Sequence, residues 1–113
     1  MEYRNIETLG AAPSLLGYGC MRWPTRKRAD GNGDEVDQEA VNELIDYAIA
    51  HGVNYFDTAY GYHGGNSENT VGRALAGVPR GSFYLADKFP GFSVENVSRV
   101  KEIFEEQLSR CGT

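Results

Sequence analysis

The sequence predicts an α/β fold assembled from strand–helix units whose strands run parallel. Helical apolar periodicity occurs three times, a glycine stands at the end of each helical stretch, and runs rich in β-formers follow the first two. An alternation of this kind implies neighbouring parallel strands joined by right-handed helical crossovers.

Leu15-Leu16-Gly17-Tyr18-Gly19-Cys20 reads as the first strand, preceded over residues 1–14 by a small hairpin or cap. Residues 23–36 are polar and hold Pro24, Gly31 and Gly33, so a loop is expected there. Asp37 then opens a helix in which Val41, Leu44, Ile45, Ala48 and Ile49 share one apolar face. Gly52 closes it in the left-handed conformation glycine tolerates, and Val53-Asn54-Tyr55-Phe56-Asp57 forms the second strand. For the second helix, Asn66, Ser67 and Glu68 supply capping side chains and an acidic first turn, Val71, Ala74 and Leu75 the buried face, and Gly77 the stop. Phe83-Tyr84-Leu85-Ala86 is the third strand. One continuous third helix is expected to bury Val97, Val100, Ile103, Phe104, Leu108 and Cys111 and to end at Gly112. The strand–helix units therefore run from about 15 to 113, and the pattern calls for another strand where only Thr113 remains.

Lys and Arg total 11 against 16 Asp and Glu, a net charge of -5 that excludes nucleic acid or an anionic membrane as the expected main partner. The one basic cluster, Arg26-Lys27-Arg28, is followed by Asp30, Asp34 and Glu35 and reads as a solvated loop. Cys20 and Cys111 stand far apart with no ligand-spaced histidine, so no metal site is expected and both read as reduced thiols in a cytoplasmic protein. No signal peptide is expected at the start, and no apolar run reaches the length of a membrane span.

Two architectures fit such units, an open doubly wound sheet and a closed eight-fold barrel. A dinucleotide-binding open sheet would show Gly-x-Gly-x-x-Gly after its first strand, whereas Gly17-Tyr18-Gly19-Cys20-Met21-Arg22 puts Arg22 at the third glycine. The chemistry lies at the strand ends in either case. Alternation places Val53, Tyr55 and Asp57 on one face, and Tyr84, Ala86 and Lys88 on one face of the next strand. Strands roughly 4.8 Å apart let Asp57 and Lys88 pair at the carboxyl end of the sheet. The alternative is an ordinary rim salt bridge. Tyr62 follows in the adjoining loop, where its hydroxyl can fold back over the lysine. A free tyrosine titrates near pH ~10, so a phenol acts as a general acid near neutrality only when its anion is stabilised, and an ammonium does this. Tyr60 is the rival for that role; packing is its other reading.

Gly52-Val53-Asn54-Tyr55-Phe56-Asp57-Thr58-Ala59, Tyr62, Gly64-Gly65-Asn66-Ser67-Glu68 and Val71-Gly72-Arg73-Ala74-Leu75 together closely resemble the aldo-keto reductases. The resemblance runs from about Leu15 through Lys88 into the third helix, and Met21-Arg22-Trp23-Pro24 resembles a bacterial branch. It implies the amino-terminal three βα units of a (β/α)8 TIM barrel, incomplete here because such a barrel takes about 250 residues. It also implies reduction of a small carbonyl substrate with NADPH, or NADH. By position Asp57, Tyr62 and Lys88 match the family's catalytic aspartate, proton donor and lysine. Gly19, Cys20 and Met21 stand where the family lines the nicotinamide, with Asp57 beside them. The family's histidine at the end of the fourth strand has no counterpart, since His51 and His63 are elsewhere.

The expected whole is one partial barrel over residues 1–113 that is inactive alone, binds NADPH poorly and self-associates through unpaired strand edges. The rival is a non-enzymatic truncated product or a binding module that uses its sheet edge. A barrel isomerase or lyase is a third reading, disfavoured by the Asp57, Tyr62, Lys88 spacing.

Overall fold

In the computed structural model, which describes Met1–Thr113, the elements in chain order are β1 (Tyr18–Gly19), β2 (Thr25–Lys27), β3 (Asp34–Val36), α1 (Gln38–Ala50), β4 (Tyr55–Asp57), α2 (Ser67–Leu75), β5 (Tyr84–Ala86), α3 (Val94–Ser98) and α4 (Val100–Cys111). Strands β1, β4 and β5 form one parallel sheet in that order, with Tyr18 beside Phe56 and Phe56 beside Leu85. Parallel strands joined through helices are the arrangement the alternation predicts. At the amino terminus, isolated antiparallel bridges join Tyr3 to Ser14 and Ile6 to Ala11.

The core lies between the sheet and the first two helices. Phe56, Val41, Ile45 and Val71 are fully buried there, together with Cys20, Trp23, Leu75 and Phe83. Tyr18 stacks on Trp23 with ring centroids 5.8 Å apart, and Phe83 meets Phe56 edge-on. Asp37 starts α1 by accepting the Ala40 N–H at 3.2 Å. Gly52 follows that helix at φ +86°, where a side chain would also strike the Tyr3 hydroxyl and Met1.

Several local expectations are corrected. Residues 23–36 are not a plain loop: β2 and β3 pair antiparallel, and the Arg26–Glu35 and Lys27–Asp34 ion pairs cross between them, so the basic cluster is half a hairpin. Val53 packs in the core and does not share the open face of Tyr55 and Asp57. Leu44 is exposed, since the α1 stripe that meets the sheet is Val41, Ile45 and Ala48. Asn66 makes no side-chain cap, and α2 ends at Leu75 with Ala76 as its cap residue, ahead of Gly77. The third helix is broken at Arg99 into α3 and α4. In α4 the inward positions are Ile103, Gln107 and Cys111, at i, i+4 and i+8, which rotates Val100 and Phe104 outward to 53% and 56% exposure. Helix α3 buries nothing, so no packing holds it in line with α4.

Helices α2 and α4 approach closely because Gly72 has no side chain. A Cβ there would lie 2.6 Å from the Arg110 carbonyl oxygen and 2.9 Å from the Cys111 carbonyl carbon and oxygen. Alanine is the better helix former by about 1 kcal/mol, yet the overlap is with backbone, which cannot rotate away. Gly72→Ala is therefore expected to destabilise by about 1–3 kcal/mol; a raised melting temperature would show that the two helices do not meet this way.

The molecule is a slab of 47 × 37 × 21 Å with a radius of gyration of 15.3 Å, against about 13 Å for a compact chain of this length. Helices cover one face of the sheet. The other carries Gly19, Tyr55, Asp57, Tyr84 and Ala86, none of them fully buried.

Candidate active site

Pairing continues past the formal strand ends and sets where each reactive side chain stands. Cys20 donates its N–H to the Asp57 carbonyl at 2.8 Å, Thr58 to Ala86 at 2.8 Å, and Tyr60 to Lys88 at 3.2 Å. Asp57 is thus the last residue of β4, and Lys88 lies two residues beyond β5 on the neighbouring track. Their side chains meet: the Lys88 ammonium donates to the Asp57 carboxylate and, at 3.0 Å, to the Thr58 carbonyl.

Tyr62 opens a short turn, Tyr62–Gly65, in which His63 adopts φ 51° and Gly64 φ 63°. Left-handed residues there fold the chain back, and the His63 ring accepts the Trp23 N–H at 2.8 Å, which ties the turn to the segment after β1. The phenol ring of Tyr62 lies 5.1 Å from the Lys88 ammonium. Desolvation pulls the Lys88 titration down, but the hydrogen bond to Asp57 and the electrostatic influence of Asp57 and Tyr62 outweigh it, leaving Lys88 above the ordinary lysine value. Carboxylate, ammonium and phenol therefore converge at the carboxyl end of the parallel strands. The ion pair is not buried, however: the Lys88 and Asp57 side chains are 50% and 39% exposed, because the inner face of the sheet is open.

Tyr60 points elsewhere. Its hydroxyl donates to Glu106 on α4 at 3.2 Å, and the Arg110 guanidinium lies 4.6 Å from its ring centre. Of the residues expected around a nicotinamide, Gly19 and Met21 are exposed near Asp57's end of the sheet. Cys20 departs from that expectation: its side chain is fully buried, and burial pushes the thiol up to about 12. Only its backbone remains available, and its carbonyl already accepts from the Ser67 hydroxyl at 2.8 Å.

The sequence reading missed the polar groups behind the site. The Ser67 hydroxyl also accepts from Trp23 Nε1 at 3.0 Å and lies 3.0 Å from the Thr58 hydroxyl, so the first residue of α2 joins the ends of β1 and β4. Glu68, read as an acidic first-turn residue, is fully buried; its oxygens accept from Gln107 at 2.9 Å and from Arg110 at 3.0 Å. Nothing in the spacing of these residues signals it, because the partners lie 39 and 42 positions away.

Asp87, next to Lys88, is exposed in part, and its carboxylate accepts from the Cys111 thiol at 3.7 Å. Partial burial first, then the neighbouring Glu68 carboxylate, push its carboxyl up to about 6, against the opposing hydrogen bonds from the Lys88 N–H and Cys111. A carboxyl raised in the folded state stabilises below its unfolded value and loses that contribution as pH rises through about 6. Asp87→Asn imitates the protonated form. It is expected to raise stability at pH 7.5 by on the order of 1 kcal/mol, screening by solvent limiting the gain, and to change nothing near pH ~3.5. Urea midpoints at the two pH values check this; equal effects at both would remove Asp87 from the explanation.

No helix of the structure is long and apolar enough to cross a membrane. The sequence model of the Aldo/keto reductase family matches residues 15–113. "Probable aldo-keto reductase 1" of Glycine max is 34% identical over 84 residues, which are 74% of this chain and 23% of that protein. Among solved structures, aldo-keto reductase AKR11C1 from Bacillus halodurans in its holo form superposes on the whole chain with a TM-score of 0.74 at 29% identity, and the chain covers 37% of it. An aldo-keto reductase from Klebsiella pneumoniae in complex with NADPH superposes on 93% of the chain with a TM-score of 0.68 at 25% identity, over 34% of its own length. The chain thus spans between 23% and 37% of the length of these three proteins. The parallel sheet, its helices and the match over nearly all of the sequence lead to one conclusion: the chain belongs to the aldo/keto reductase family.

Proposed function

We propose that this chain supplies the proton-donating part of a reductase site that converts a small carbonyl compound to an alcohol with NADPH or NADH. The reading rests on one observation above all, the Lys88 ammonium held by Asp57 beside the ring of Tyr62 at the carboxyl end of parallel strands. In it Tyr62 gives its proton to the carbonyl oxygen as negative charge develops there, Lys88 stabilises the resulting phenolate, and Asp57 orients Lys88. The chemistry a nicotinamide cofactor would supply, when bound, is the hydride. Gly19, Met21 and Asp57 would hold the cofactor, and the space above Gly19 is open, since an added Cβ would meet nothing within 4 Å. Cys20 takes part only through its backbone.

In this reading the chain alone does not turn over substrate, because it spans about a third of the NADPH-bound neighbour. The test is a protein that carries this chain at its amino-terminal end and reaches the length of its relatives, assayed for NADPH or NADH oxidation with aldehydes and ketones. Oxidation that depends on the carbonyl compound is expected. Failure with both cofactors across the panel would sink the proposal.

A second reading, association through sheet edges, is favoured by the open sides of β1 and β5. A groove of about 360 Å³ runs beside β1, where Leu16 and Tyr47 are 63% and 66% exposed. Sedimentation of the 113-residue chain should show association that grows with concentration; a monodisperse monomer with a cooperative melt would count against it.

A further inference from the structure

Gln107 is a buried polar residue on α4 whose position the core alone does not explain. Its side-chain nitrogen donates to Glu68 Oε1 at 2.9 Å and to the backbone carbonyl of Lys88 at 3.2 Å. A primary amide has two N–H donors, and both are used here; flipping the group would set its oxygen against two acceptors. Glu68 cannot turn away, because its other oxygen accepts from Arg110 at 3.0 Å. The Gln107 amide is therefore fixed from behind and presents one donor to Lys88.

Lys88 lies beyond the formal end of β5, where the pairing is carried on by one ladder hydrogen bond, from the Tyr60 N–H to the Lys88 carbonyl, so a second donor there adds to its support. Its N–H donates to the Asp87 carboxylate at 2.8 Å, and its carbonyl accepts from Tyr60 at 3.2 Å as well as from Gln107. Two donors on one carbonyl fix the peptide plane that follows the lysine. That plane, with the N–H on the other side, sets the direction in which the side chain leaves the backbone.

We infer that Gln107, clamped by Glu68 and Arg110, is a positioning residue that aims Lys88 at Asp57 and Tyr62; its functional meaning rests on the reductase reading above. With the amide removed, Lys88 keeps a single donor on its carbonyl, and the ammonium samples positions away from the phenol. The raised titration of Lys88, which arises from the hydrogen bond to Asp57 and the nearness of Asp57 and Tyr62, depends on the same geometry.

The test uses the 113-residue chain with carbon-labelled lysine, followed by nuclear magnetic resonance. The measured quantities are the nuclear Overhauser contact between the Lys88 side chain and the Tyr62 ring, and the Lys88 titration. Gln107→Met, close in volume, should lose the contact and bring the titration down toward the ordinary lysine value. Gln107→Asn, too short to reach both acceptors, should show a partial loss. Ile103→Ala, which removes packing on the same helix, should lower stability while leaving both readouts in place. An unchanged Lys88 in Gln107→Met, or an equal disturbance by Ile103→Ala, would overturn the inference. If neither Gln107 variant folds while Ile103→Ala does, Gln107 is a packing residue and the inference also falls. Because these signals report placement and not turnover, they separate failure of this inference from failure of the reductase reading.

Discussion

Tyr62→Phe is expected to lower carbonyl turnover by about 10²–10⁴-fold, the range that a positioned acid contributes, in a reductase that carries this chain. Cofactor affinity should stay nearly intact, because the hydroxyl matters most when charge develops on the substrate oxygen. Lys88→Met should act in the same direction, since the phenolate then has no adjacent ammonium. Tyr60→Phe should be much milder: that hydroxyl faces Glu106 and that ring faces Arg110, on the helix side. Steady-state rates for the three variants, with cofactor binding measured alongside, decide the assignment. A nearly active Tyr62→Phe enzyme beside a dead Tyr60→Phe enzyme would reverse it.

Arg110→Met is expected to destabilise the chain by about 3 kcal/mol, the scale for removing one partner of a buried ion pair. The arginine meets Glu68, which is fully buried, and also pairs with Glu106, so its loss leaves Glu68 with the Gln107 amide alone. Replacing both partners, as Glu68→Leu with Arg110→Met, should be less damaging than the arginine change alone, because no charge is then left buried without a counter-ion. Urea denaturation of the two single variants and the double variant measures the coupling. Strict additivity would mean that the pair contributes nothing specific, and the tie between α2 and α4 would have to come from packing at Gly72 and Ile103.

The features legible in the amino-acid order are those that repeat locally. The helix over Gln38–Ala50 follows from the spacing of Val41, Ile45 and Ala48 and from Asp37 before it, and the parallel order of β1, β4 and β5 follows from the alternation of helices and strand-forming runs. Asp57 and Lys88 could be paired in advance because each ends an apolar run, and side chains at the ends of neighbouring strands have little choice but to meet.

What escaped that reading depends on approach between distant segments. The β2–β3 hairpin looked like a loop because its apolar content is low and cross-strand ion pairs between exposed residues hold it. Phe104 looked like core because it is apolar, yet rotation of α4 turned Gln107 inward in its place, toward Glu68 and the carbonyl of Lys88. Glu68 carries no local mark that separates an exposed first-turn carboxylate from a buried one. Its burial follows from Gly72, where the missing side chain lets α4 come close enough for Arg110 and Gln107 to satisfy both carboxylate oxygens. Periodicity is a property of one segment and can be counted along the chain, whereas satisfaction of a buried polar group is a property of two packed segments and exists only after they meet.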